Sequence, residues 1–159
     1  MIDGRMTIAN QPDPRPGPNR PPAGGSAFFI DVSAALIFLG GRLLITQRQV
    51  HSHLGGCWEF PGGKREADET FEQCLVREIK EELGLEIVVG ELFEELCHRY
   101  PEKNVRLKFF LCRPQAGEPQ PLACAALKWI DQAGLDAHEF PAADARLLEK
   151  LKTMPQLWR

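Results

Sequence analysis

Gly63 to Leu85 reads GKREADETFEQCLVREIKEELGL. Within it, Glu78, Glu81 and Glu82 fall at i, i+3 and i+4, positions that share one face of a helix. Three like charges at that spacing repel, so a helix gains nothing from them alone. A cation placed among them makes the arrangement favourable. Phe71, Leu75, Ile79 and Leu83 recur every four residues, the buried stripe of an amphipathic helix. At about 100° per residue, Glu78 and Glu82 fall beside Phe71 and Leu75, with Gln73, Val76 and Lys80 opposite. The acids are therefore expected to border the core, where an unpaired carboxylate is costly and a metal offsets that cost. Mg²⁺ suits such a site, with Mn²⁺ as the alternative, because it takes oxygen ligands and shares its shell with phosphate oxygens. Thr70 with Gln73 three residues on predicts a capping box, and Gly84 a helix stop.

Alone, an acidic cluster reads as readily as a solvated helix face. The flanks decide against that. Gly63, Glu69, Arg77, Glu78, Ile79, Glu81, Glu82, Gly84 and Leu85 fill every fixed position of G-x5-E-x7-R-E-U-x-E-E-x-G-U, where U is aliphatic. In this the stretch resembles the signature of the Nudix hydrolase family.

The rest of the composition agrees with a soluble enzyme. A chain of 159 residues holds one domain with a sizeable core. A net charge of −3 gives no basic footprint for nucleic acid. Cys57, Cys74, Cys97, Cys112 and Cys124 form no CxxC pair and are odd in number, so neither a zinc site nor a disulfide framework is expected. That usage fits a reducing cytoplasm. No stretch is long and apolar enough to span a bilayer, and no signal-peptide core opens the chain.

Residues 1–26 hold six of the 13 prolines and are expected to be a disordered tail, leaving 27–159 as the folded domain. Phe28 to Leu39 reads as a strand, Gly40-Gly41 as a hairpin turn, and Arg42 to Arg48 as the returning strand. His51 and His53 read as solvated loop residues. Trp58 to Phe60 is a short strand entering a Pro61-Gly62-Gly63 loop, whose glycines let backbone approach phosphate closely. Two longer strands, Ile87 to Tyr100 and Asn104 to Cys112, flank the PEKN turn. Leu127 to Ile130 is a last strand, and Asp144 to Thr153 a second amphipathic helix. The order β-β-β-α-β-β-β-α predicts an α+β fold with a mixed sheet between helices. The family resemblance implies the same α/β/α sandwich.

The resemblance also implies roles. Glu78, Glu81 and Glu82 would be metal ligands, with the Gly62 carbonyl as another. Glu69 and Arg77 would pair to hold the loop against the helix. WEFPGGK from Trp58 to Lys64, the ITQR strand end at Arg48, and EFPAAD from Glu139 to Asp144 resemble the MutT-like oxidised-nucleotide diphosphatases. There Phe60 would pack beside the base, Asp144 would read its edge, and Arg48 and Lys64 would face the nucleotide. One departure stands out: where such enzymes carry E-x-Q-x3-W, Trp129 is preceded by Ala123 and Ala125, with Glu118 as the nearest substitute. The implied activity is Mg²⁺-dependent hydrolysis of a nucleoside triphosphate to monophosphate and pyrophosphate, with 8-oxo-dGTP or another noncanonical nucleotide expected. Alternatives are a CTP, methyl-dCTP or nucleotide-sugar diphosphatase, and a nucleotide-binding protein with little turnover. The expected partner is the nucleotide, with no nucleic acid or membrane, and with monomer and homodimer both open.

Overall fold

The computed structural model describes residues 28–99 and 103–159. The expected tail and the first two residues of the PEKN turn lie outside them. Seven strands form the sheet among the described residues. They are β1 (Phe29–Leu39), β2 (Arg42–Gln47), β3 (Trp58–Glu59), β4 (Gly62–Lys64), β5 (Glu86–Arg99), β6 (Asn104–Ala116) and β7 (Ala126–Ile130). The helices are α1 (Phe71–Leu83), α2 (Gly134–Ala137) and α3 (Ala145–Lys152).

β1 is the central strand. It runs parallel to β6, with Ala34 opposite Phe109 and Ala35 opposite Phe110. It pairs antiparallel with β2 through the Gly40-Gly41 turn, where both residues have positive φ, 55° and 71°. That is the two-residue turn whose twist matches a hairpin. β5 joins β6 antiparallel, while β3 and β7 both pair with β2. The sheet is thus mixed, as expected.

Side-chain alternation along buried strands splits the core in two. Ala34, Leu36, Leu43, Ile45 and Phe109 pack with Leu147 and Leu151 of α3. Their neighbours Ala35, Ile37, Leu44 and Phe110 pack with Leu75, Ile79 and Leu83 of α1. One helix therefore covers each face, giving the predicted sandwich. Burial of those three α1 residues stabilises its docking by about 1.5–3 kcal/mol each. Ser33 Oγ adds a bond of 2.9 Å to the Phe71 carbonyl, fixing the helix start against β1.

Four local expectations need correction. Gly62-Gly63 is not a loop: with Lys64 it forms β4, paired to Ala34, Ser33 and Val32 of β1. Pro61 interrupts the strand because it has no N–H, although its carbonyl still accepts from Ala35 N at 2.8 Å. The last helix starts at Ala145, with Asp144 in a preceding 3₁₀ turn, Ala142–Asp144. β6 runs past Cys112 to Ala116, and the short α2 was not foreseen.

Candidate active site

α1 forms as its sequence dictates. Thr70 Oγ1 accepts from Gln73 N at 3.1 Å, and Gln73 Oε1 accepts from Thr70 N at 2.9 Å, closing the capping box. Gly84 ends the helix in a left-handed conformation, φ 65°. The helix so placed carries the acids, but not equally. Glu78 is mostly shielded, with 16% of its side chain exposed, whereas Glu81 is 61% exposed. Glu81 therefore lies toward solvent, contrary to the expectation that all three acids border the core.

Arg77 organises this group. Its Nη2 and Nε grip Glu69 at 2.6 and 3.0 Å, a bidentate pair. Its Nη1 holds Glu78 at 2.8 Å and reaches Glu81 at 3.4 Å. Its Nη2 also donates to the Lys64 carbonyl at 3.2 Å. The guanidinium holds the Glu69 carboxyl down at about 2. Helix and preceding turn are locked through one side chain.

Glu82 turns the other way, into a cleft of about 580 Å³. Arg48, Phe60, Gly62, Lys64 and Asp144 line the same cleft. Six residues singled out from sequence thus meet around one space. Glu69, Arg77, Glu78 and Glu81 do not line it; they form the ion-pair network beside it. Gly63 joins the two: it lines the cleft, and a Cβ there would fall within 2.5 Å of both Glu78 carboxylate oxygens. At Gly62 a Cβ would collide with the Ser33 carbonyl of β1. Both glycines are needed for close approach.

Phe60 is buried, stacked on Phe140 at 5.3 Å and edge-on to Phe109 at 5.9 Å. It is both core and cleft wall. Asp144 is 7% exposed and makes no capping bond to α3. Burial, helped by Glu59, pushes its carboxyl up to about 6. Arg48 is already engaged: Nη1 meets Glu59 at 2.6 Å and Nε donates to the His53 carbonyl at 2.7 Å. His51 and His53 themselves are exposed, as expected.

Glu59 is the cleft acid that sequence reading missed. Burial raises its carboxyl despite Arg48. Its only sequence signal is a lone acid between two buried aromatics, Trp58 and Phe60, on a strand. Ala123 lines the cleft and Glu118 does not; Glu118 borders a separate groove with Leu85, Pro119 and Trp129. Glu118 is therefore no stand-in for the expected loop acid.

The donor set fits a hard divalent cation. Burial, then Glu78, then Glu59 push the Glu82 carboxyl up to about 7. That is the electrostatic condition a bound cation relieves. Among the described residues, no three acidic, His or Cys side chains stand close enough to form a ready metal cluster; Glu78 and Glu81 are both ion-paired to Arg77.

A sequence model of the NUDIX domain matches residues 33–150. The chain belongs to the Nudix family. It is 38% identical over 113 residues to the 8-oxo-dGTP diphosphatase of Escherichia coli K12, spanning 71% of this chain and 88% of that protein. It is 37% identical over 121 residues to the CTP pyrophosphohydrolase of the same organism, spanning 76% and 90%. The solution structure of the E. coli ORF135 protein superposes with a TM-score of 0.72 at 34% identity, covering 84% of this chain and 95% of that one.

Proposed function

We propose that this chain is a divalent-metal-dependent nucleoside triphosphate pyrophosphohydrolase that releases a nucleoside monophosphate and pyrophosphate. Its favoured substrate is 8-oxo-dGTP or a related noncanonical nucleotide. One observation carries the reading: a single cleft presents Glu82 from α1, a Phe60 wall, and the buried, uncapped Asp144. That is a place for phosphate-bound metal, a base plane and a base edge.

Glu78, Glu81 and Glu82 would hold the metal, with the Gly62 carbonyl beside them. When bound, Mg²⁺ supplies charge neutralisation at the polyphosphate and activates water. Arg77 holds the Glu78 and Glu81 carboxylates in place, and Glu69 fixes Arg77. Lys64, exposed at the cleft edge, offers a mobile positive charge to the phosphates. Asp144 selects the base. As a carboxylate it accepts from an N–H on the base edge; protonated, it also donates.

Asp144 also favours a second reading. A cytosine presents an amino donor beside a ring acceptor, so CTP or a modified dCTP is compatible with the same carboxyl. The resemblance to a CTP pyrophosphohydrolase, nearly equal in identity to that with the 8-oxo-dGTP enzyme, supports keeping it. A nucleotide panel with Mg²⁺, scored for pyrophosphate against free phosphate, decides. Pyrophosphate from 8-oxo-dGTP at the highest kcat/KM is expected. Preference for CTP would move the substrate, and no turnover of any nucleotide would overturn the enzymatic reading.

A further inference from the structure

Asp31 lies on β1, does not line the cleft, and is only 7% exposed. Its carboxylate accepts four hydrogen bonds from two arginines. Arg65 donates from Nε at 3.1 Å and Nη2 at 2.9 Å; Arg106 donates from Nε at 2.8 Å and Nη2 at 2.9 Å. The Arg106 bond, then that of Arg65, holds the carboxyl below its usual range against the opposing effect of burial. Arg106 alone would give this acid a bidentate partner. The second guanidinium does something more.

Arg65 uses its remaining nitrogen on the turn before α1. Nη1 donates to the Glu69 carbonyl at 2.6 Å and, more weakly, to that of Glu66 at 3.4 Å. The Arg65 backbone N–H donates to the Asp31 carbonyl at 2.8 Å. Glu66 N in turn donates to Glu69 Oε1 at 2.9 Å. Glu69 is the residue that grips Arg77, and Arg77 holds Glu78 and Glu81. A continuous series of largely charge-assisted bonds therefore runs from the centre of the sheet to the acids of α1.

We propose that Asp31 is a positioning residue for the metal-binding carboxylates. It acts through Arg65 on the Glu66–Glu69 turn, and through Glu69 and Arg77 on Glu78 and Glu81. The inference rests on the reading of Glu78, Glu81 and Glu82 as metal ligands.

The local charge balance explains why Asp31 is needed. Arg65, Arg106 and Lys108 all stand over the Phe71 ring, at 5.3, 5.6 and 4.4 Å from its centre. Lys108 has Glu95 at 3.7 Å. Among the described residues, Asp31 is the acid that ion-pairs with both arginines. Without its charge they repel, and Arg65 leaves the Glu69 carbonyl. The turn then holds Glu69 less firmly, and the order imposed on Arg77 falls.

The test is Mn²⁺ binding to the full chain without nucleotide, read as free Mn²⁺ by electron paramagnetic resonance. D31N removes the charge; R65K keeps a cation beside Asp31 but cannot fork between Asp31 and Glu69. Both are expected to weaken Mn²⁺ binding about three- to tenfold, somewhat less than the roughly 10–100-fold typical of groups that contact ligands directly. The Mg²⁺ concentration giving half-maximal turnover should rise in step, with kcat at saturating Mg²⁺ retained. E94Q breaks the shielded Glu94–Lys150 pair, 3.2 Å long, near α3, and should lower the melting temperature without moving the Mn²⁺ constant. Wild-type Mn²⁺ binding in both D31N and R65K would overturn the proposal, whatever their melting temperatures. So would an equal shift in E94Q. Should D31N fail to fold, R65K decides. E82Q separates the two readings: unchanged Mn²⁺ binding there would remove the ligand assignment itself, whereas loss there with none in D31N and R65K would remove only the positioning role.

Discussion

Asp144 shows what burial does to one carboxyl. Its ordinary value is 3.8, and in the folded chain it stands at about 6. The folded state binds this proton more tightly than the unfolded one. Stability from this group is therefore full below pH 3.8, falls as pH rises to about 6, and is flat above. Asp144→Asn removes the penalty. Near neutral pH the metal-free variant should be more stable than wild type by up to about 2–3 kcal/mol, with the gain vanishing at acid pH. Urea unfolding at both pH values checks this. A helix-cap role would give the opposite sign, a loss of about 1 kcal/mol. The same variant should change the kcat/KM ratio among 8-oxo-dGTP, dGTP and dCTP, because an unsatisfied polar edge is rejected strongly. A constant ratio would end the recognition role.

At the scale of the element, α1 can be taken apart by single changes. Thr70→Ala deletes half of the capping box and should cost about 1 kcal/mol, a shift of about 2–4 °C in Tm, with kcat at saturating Mg²⁺ unchanged. Gly63→Ala should do the reverse. Its methyl would occupy the space of the Glu78 carboxylate, pushing that acid out of place. Turnover should fall about tenfold or more while Tm moves little. Equal losses in Tm for both variants would contradict this division. The two glycine and threonine positions were legible because their signals are local: a cap, a period, a stop. The Gly62–Lys64 strand was not, because its partner is Val32 to Ala34, far away in sequence. Four-residue α2 is too short to show a period. Glu59 was not singled out, because its burial and its pairing with Arg48 across β2 and β3 arise only on folding. The acids of α1 were legible as a group, and the exposure of Glu81 was within reach too, since at about 100° per residue it falls farther from the Phe71 to Leu83 stripe than Glu78 or Glu82 does.

Across the whole molecule, one sheet with two apolar faces fixes where chemistry can occur. α1 covers one face and α3 the other, and the cleft draws Glu82 from the first and Asp144 from the turn before the second. Among the described residues, no helix is long and apolar enough to cross a membrane. Residues 1–26 carry few large apolar side chains, so removing them should leave Tm and kcat/KM nearly unchanged, as thermal melts and turnover of the shortened chain would show. The joining of metal end and base end in one cleft is the claim on which the functional reading stands. Glu82→Gln tests it most directly, because it keeps shape and removes charge at the metal end alone. Hydrolysis of 8-oxo-dGTP to monophosphate and pyrophosphate, followed in wild type and variant at matched Mg²⁺, should fall at least about a hundredfold while the folded state persists. Wild-type pyrophosphate release from the variant would contradict the account.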